Sequence, residues 1–286
     1  MQLSQSMTVI SRSPMLVLMA RKGGVGKSTL ACLLARIYAD NGLRVILADL
    51  DPQGTSTEVL APDAGVDVAE LGERLTAGQP LGSLVCETVV EGLRIVPTAE
   101  GLTVYETQLA GHPMGVAKVR KALESLKECD CDLVVVDTPP TIGAFTFGAL
   151  AAGTWAVIPT LCEHPSVRTL PSAFRTVAEA QTMNQDLRVL AVVANRLDRA
   201  TRHGLSALRT LQEAFPEHLA KASIPRAVAI TDAMQPGCPL NPDAPVMTAV
   251  TALAEELLER MRTVGVVQGE EAAATGEDMV VGGRLR

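Results

Sequence analysis

Six consecutive apolar residues, "MLVLMA" at 15–20, run straight into the glycine-rich stretch "RKGGVGKST", and a helical pattern follows from Lys27 to about Asp40. "NG" at 41–42 closes that helix, and "RVILAD" at 44–49 is a second apolar run. A strand with one wet face alternates polar and apolar residues. These runs do not alternate, so they read as strands buried on both faces. Strand, glycine loop, helix, strand is a βαβ unit, and its crossover makes the two strands parallel. The expected fold class is therefore α/β: a mostly parallel, twisted sheet flanked by helices on both faces.

The alternation continues along the chain. "LRIVPT" (93–98), "DLVVVD" (132–137), "TWAVIPT" (154–160) and "LRVLAVVAN" (187–195) read as strands. Helical stretches are expected near 100–109, 114–128, 166–183 and 203–214, and "KASIP" (221–225) as a last short strand. Residues 52–90 are rich in turn formers and yield no clear pattern. Val246, Val250, Leu253, Leu257, Leu258 and Met261 recur at helical spacing, as in a helix packed on the sheet. The expected organisation is a flexible leader over 1–14, one domain over 15–263, and a Gly-, Ala- and Glu-rich disordered tail over 264–286.

Composition narrows the function. Hydrophobic residues make up 47%, enough for a large core, while aromatics are only 2%. An aromatic platform for stacking single-stranded bases is therefore not expected. At a net charge of −7, any nucleic-acid contact needs a local basic patch. None of the six cysteines forms a C-x-x-C pair, and the C-x-C of Cys129 and Cys131 reads as two thiols rather than a metal site. No apolar run is long enough to span a membrane, and with no signal peptide the expected location is cytoplasmic.

The glycine loop carries the chemistry. Glycines ahead of a helix let backbone N–H groups curl round phosphate oxygens, and the helix N-terminus adds partial positive charge. Lys27 is placed to neutralise β- and γ-phosphates, Ser28 to ligate Mg²⁺, and Thr29 to bond the α-phosphate. The ordinary phosphate-loop pattern has glycine where Arg21 stands, so the match is to a variant form in which a second lysine opens the loop: Lys22-Gly23-Gly24-Val25-Gly26-Lys27-Ser28. This run resembles the ParA/MinD family of deviant Walker A P-loop NTPases. The resemblance implies ATP and Mg²⁺ as cofactors. It also implies that Lys27 serves its own chain's ATP while Lys22 crosses a homodimer interface to the partner's phosphates. Two facing triphosphates are strongly anionic, and two extra ammonium groups offset their repulsion.

Two acidic motifs extend the resemblance. "LADLDPQGTST" (47–57) puts Asp49 and Asp51 two apart at a strand end, where period-2 alternation sends both toward the γ-phosphate. Similarity to the family's D-x-DPQG motif implies that Asp51 positions the attacking water or the metal. "LVVVDTPP" (133–140) is a Walker B pattern in which Asp137 reaches Mg²⁺ through water, and the following "TIGAFTFGAL" is a candidate switch segment. At the end of the strand over 187–195, Asn195 is expected at the adenine edge, as strand-end Asn residues are in related nucleotide folds. "IPRAVAITDAMQPGCPL" (224–240) resembles a family stretch that lays Pro225 and Arg226 against the base.

Between Arg188 and Arg226 there are seven basic and three acidic residues. Arg196, Arg199, Arg202, Arg209, Lys221 and Arg226 are the candidates for contact with a DNA backbone, the alternative being an ordinary solvated face. Ala227 and Ala229 stand where relatives often carry polar residues. Altogether the resemblance implies a partition ATPase: an ATP-sandwich homodimer that binds DNA non-specifically, associates with the nucleoid, and is reset when a ParB-type partner stimulates slow hydrolysis. A MinD-type membrane-surface ATPase needs a basic amphipathic C-terminal helix. "GEDMVVGGRLR" argues against one, so no stable membrane association is expected. An iron–sulfur assembly ATPase, which needs paired interface cysteines, ranks lower, and small-molecule synthetases share the same fold.

Overall fold

The computed structural model describes residues 13–235 and 244–277. Most of the expected leader, the end of the expected tail from 278, and residues 236–240 of the family-like stretch, with Cys238, lie outside the described residues. In chain order the elements are β1 (Met15–Leu18), α1 (Lys27–Asp40), β2 (Val45–Asp49), α2 (Thr55–Leu60), α3 (Val68–Ala77), β3 (Cys86–Glu87), β4 (Leu93–Val96), α4 (Leu102–Ala110) and α5 (Gly115–Glu124). They continue with β5 (Leu133–Asp137), α6 (Ala144–Ala152), β6 (Trp155–Leu161), α7 (His164–Val167), α8 (Leu170–Gln181), β7 (Arg188–Asn195), α9 (Arg202–Ala214), α10 (Val228–Ala233) and α11 (Pro245–Glu277).

The strands form one seven-stranded sheet in the order β3-β4-β2-β5-β1-β6-β7. Every pairing is parallel except that of the two-residue edge strand β3 with β4. Apolar residues alternate between its two faces. Met15, Val17 and Met19 enter a core built with α3–α6, α8 and α9, while Leu16 and Leu18 enter one built with α1, α2 and α11. Burial on both sides explains why the strand sequences are unbroken apolar runs. Tyr38 of α1 is fully buried and donates its hydroxyl to the Ala254 carbonyl of α11 at 3.2 Å, joining the two helices on that face.

Several expected elements take a different form. The helix expected over 166–183 is broken into α7 and α8, with Pro171 at the start of the second, where a proline is tolerated. "KASIP" is not a strand. Leu219 and Pro225 make only isolated parallel bridges to Val192 and Leu197. Residues 52–90 supply α2, α3 and β3, with Asp67 capping α3 by accepting from Glu70 N at 3.0 Å. Helix α11 runs on to Glu277, past the expected domain boundary at 263.

Candidate active site

All parallel strands point their carboxyl ends the same way, and the order reverses around β1, which lies between β5 and β6. Loops leaving β1 and β6 diverge there and leave a crevice, the usual ligand position in open α/β sheets. The glycine loop fills it. Gly24 (φ 72) and Gly26 (φ 95) adopt left-handed backbone that L side chains avoid, and Gly26 is the N-cap of α1. A Cβ on Gly26 would also stand 2.3 Å from Asn195 Nδ2. Lys27 is 5% exposed at the helix start, with Ser28 and Thr29 half-buried behind it. The loop amides, the helix terminus and one buried ammonium converge on a single point suited to a phosphate chain.

Parallel register sets Asp49 of β2 beside Asp137 of β5, and both are fully buried. Their surroundings differ. Asp49 Oδ1 accepts from Asp51 N at 3.1 Å, and its Oδ2 accepts from Thr57 N at 2.9 Å and Thr57 Oγ1 at 2.8 Å. Thr57 Oγ1 in turn accepts from Thr98 N at 3.0 Å. Asp49, expected near the γ-phosphate, braces the 49–57 loop in the chain without nucleotide. Strand alternation stops at Asp49, and the chain curls back over its carboxylate.

Asp137 Oδ2 accepts from Ser56 Oγ at 2.8 Å, while its buried Oδ1 has no hydrogen-bond partner. Burial pushes the Asp137 carboxyl up to about 6, with a smaller push from Asp51, while Ser28, Ser56 and Lys27 pull it back. Asp49 is raised well above the carboxylate range, first by burial and then by the Asp137 charge. Asp51, 7% exposed, accepts from Gln53 N at 3.1 Å, a tight turn that aims its loop over the site. An unpaired carboxylate oxygen beside a serine hydroxyl fits a hard divalent cation, which takes oxygen ligands and favours the charged carboxylate. Ser28, Asp51 and Asp137 are thus brought to one place.

Lys22 takes a separate position. Its Nζ donates to Ser166 Oγ of α7 at 3.0 Å and lies 3.8 Å from Glu163, with the side chain 40% exposed. Arg21 Nη1 donates to Thr176 Oγ1 of α8 at 3.3 Å.

Asn195, expected at the adenine edge, is 3% exposed, its Nδ2 donating to the Val25 carbonyl at 2.7 Å and its Oδ1 accepting from Arg196 N at 2.9 Å. In the chain without nucleotide both ends of the amide are engaged, and Asn195 ties the glycine loop to the end of β7. Arg196 next to it is the one non-glycine residue with positive φ among the described residues (51°), which turns the chain out of β7. Beyond it, Leu197 N donates to the Ile224 carbonyl at 2.9 Å and Arg226 N to the Leu197 carbonyl at 3.1 Å. Pro225 and Arg226 thereby form a ledge along the end of β7. Arg196, Arg199, Arg202, Lys221 and Arg226 are exposed, and so is Arg209 on α9.

Two site features had little or no sequence signal. Ser56 and Thr57 lie within the acidic motif but read as ordinary loop residues. Glu106 of α4 accepts from Thr141 Oγ1 at 3.3 Å, with no motif to mark it. Cys129 and Cys131 sit before β5, at the opposite end of the sheet, and donate to the Ser125 and Leu126 carbonyls at 3.8 and 3.5 Å. No group of three or more His, Cys, Asp or Glu among the described residues is arranged to hold a metal by itself.

Comparison with known proteins agrees with this geometry. A family model described as an AAA domain matches residues 13–189. The chain is 32% identical to the chromosome-partitioning ATPase Soj of Thermus thermophilus, with 85% of this chain and 94% of that protein aligned. It is 31% identical to the sporulation initiation inhibitor protein Soj of Bacillus subtilis, over 77% of this chain and 87% of that one. Among solved structures, cobyrinic acid a,c-diamide synthase from Mycobacterium smegmatis with bound ATP analog and magnesium superposes with a TM-score of 0.72 at 25% identity, covering 87% of this chain and 96% of that one. Glycine loop, paired strand-end aspartates and sequence relatives agree, and the chain belongs to the ParA/MinD superfamily of deviant Walker A P-loop ATPases, in its Soj-like ParA branch.

Proposed function

We propose that the chain is a partition ATPase that hydrolyses Mg²⁺-ATP and moves DNA by switching between nucleotide states. The observation that carries this reading is the buried, half-satisfied Asp137 carboxylate near Lys27 and Ser28 at the N-terminus of α1. The magnesium-bound relative and the Soj names support it. The loop amides bind the phosphates, Lys27 holds the β- and γ-oxygens, and Thr29 takes the α-phosphate. Ser28 and Asp137 would hold the metal, Asp137 through water, and a bound metal would supply neutralising charge at the transferred phosphoryl group. Asp51, whose loop Asp49 braces, orients the attacking water. Pro225 and Arg226 form the ledge for the base.

Lys22 supplies the dimer link. In the single chain its ammonium rests on Ser166 and Glu163. In the proposed sandwich it leaves them for the partner's phosphates, a stronger charge than one exposed carboxylate. The dimer doubles the basic face of Arg196, Arg199, Arg202, Arg209, Lys221 and Arg226, so DNA binding follows ATP occupancy. A ParB-type partner speeds hydrolysis and resets the cycle, with the protein cytoplasmic and on the nucleoid while ATP-bound. No helix among the described residues is long and apolar enough to cross a membrane.

Binding to non-specific duplex DNA, measured with ATP, ADP or no nucleotide at two salt concentrations, tests the reading. Binding with ATP alone, falling steeply with salt, is the expected result. Equal binding in all three nucleotide states refutes the switch.

A further inference from the structure

We propose that Glu106 is a positioning residue of the hydrolytic site, its carboxylate tying the segment after Asp137 to α4 at the start of α6. This rests on the ATPase reading above. Thr141 donates its hydroxyl to Glu106 Oε1 at 3.3 Å, and the Thr141 carbonyl accepts from Thr146 Oγ1 at 2.8 Å. The segment is thus tied on one side to α4 and on the other to the first turn of α6. At Gly143 a Cβ would lie 2.4 Å from Glu106 Oε1 and 3.2 Å from its Cδ, so only glycine lets the carboxylate come this close to the backbone.

Gly143 is also the N-cap of α6, a helix with no side-chain cap and no acidic residue in its first turn. Glu106 brings the missing negative charge from another helix, where the N-terminal N–H groups favour it. The same carboxylate feels Asp51: burial raises it first, and Asp51 adds to the rise. One group on α4 therefore meets the 141–143 segment and the start of α6, with the Asp51 charge near enough to be felt. Asp137, four residues before Thr141, sits at the head of that segment. Loss of Glu106 frees the segment relative to Asp51 and disturbs alignment of the attacking water. The phosphate cradle of Lys27 and the glycine loop does not depend on it.

A purely structural role predicts a different result, because a lost helix cap lowers stability without altering turnover. The test is steady-state ATP hydrolysis by the full chain with Mg²⁺ and DNA, together with thermal melting, for E106A, E106Q, T141V and the E106A/T141V double variant. Gln keeps an acceptor for Thr141, so E106Q is expected to recover most of the turnover lost in E106A. E106A and T141V are expected to lower kcat by about 10- to 100-fold, with KM for ATP changed less than about 3-fold. The double variant is expected to fall no further than E106A. Melting temperatures that fall while kcat holds, or losses that multiply in the double variant, overturn the proposal. Should E106A fail to fold, T141V and E106Q decide it by the same criteria. An unsubstituted chain that does not hydrolyse ATP strikes the ATPase reading itself. Normal variants beside an active chain strike the role of Glu106 alone.

Discussion

Replacing Asp137 by Asn is expected to make the nucleotide-free protein more stable, although it removes a central active-site group. The magnitude follows from the burial of that carboxylate. In the fold its pKa rises from 3.8 to about 6 because burial penalises the charged form. A raised carboxylate pKa means that the charged form opposes folding. The contribution of this one group is therefore most favourable below pH 3.8 and is lost as pH rises through about 6. At about 1.4 kcal/mol per unit, the cost is about 3 kcal/mol at pH 8 and roughly half of that at pH 5. The carboxamide of the D137N variant carries no charge, and the Ser56 hydroxyl can rotate to accept from its NH₂ group. In EDTA without nucleotide, D137N should melt ~5–10 °C above the unsubstituted chain at pH 8, with the gap narrowing toward pH 5. With Mg²⁺ and a non-hydrolysable ATP analogue the unsubstituted chain should recover most of that difference and D137N little. Calorimetry or fluorescence melting under these three conditions reads all of this. A D137N protein that is less stable at pH 8 without nucleotide refutes the reasoning, for it would mean that the carboxylate is satisfied within the fold.

Lys22→Ala should bind ATP yet stay monomeric in sedimentation with ATP, while its melting temperature barely moves, because an exposed pair such as Lys22–Glu163 contributes about 0–1 kcal/mol. Gly26→Ala should lower stability by roughly 1–3 kcal/mol through its positive φ and abolish nucleotide binding, since the new Cβ displaces the Asn195 clamp; urea unfolding and equilibrium dialysis check the two parts. Arg202→Ala should weaken ATP-dependent DNA binding alike across sequences and reduce the salt slope of log K by about one, measured by anisotropy titration.

Much of the fold was legible because its strands are buried on both faces, which leaves a compositional mark that needs no tertiary knowledge. The glycine loop was legible for a similar reason: left-handed backbone at Gly24 and Gly26 demands glycine in a fixed place. Residues 52–90 were not legible. Their helices are short, so periodicity had few turns in which to show. The break between α7 and α8 is a local event at one proline, invisible to a pattern that averages over several turns. Asn195 illustrates a further limit. A strand-end amide reaches outward to a ligand or inward to a neighbouring loop with the same spacing, and only the packing of Val25 above it decides.

The two buried aspartates show how function separates from structure at one strand end. Asp49 and Asp137 are register partners and equally buried, and the charge of Asp137 adds to the rise in the proton affinity of Asp49. By sequence alone they are alike, an acidic residue closing an apolar run. Hydrogen bonding tells them apart. Asp49 has donors on both oxygens, all from its own loop, and these bonds offset part of the rise that burial and the Asp137 charge impose on it. Asp137 has one oxygen bonded to Ser56 and one with no partner. Such an oxygen costs about 1–3 kcal/mol or more when left unsatisfied. A fold that retained it for stability alone would do better with an uncharged residue. The cost is understandable if the missing partner arrives with the substrate: water held on a divalent cation would donate to the orphaned oxygen, and the nearby positive charge would offset the penalty that raises its pKa. The unsatisfied member of the pair is therefore the one assigned to the ligand, and its fully bonded neighbour to the loop that carries Asp51.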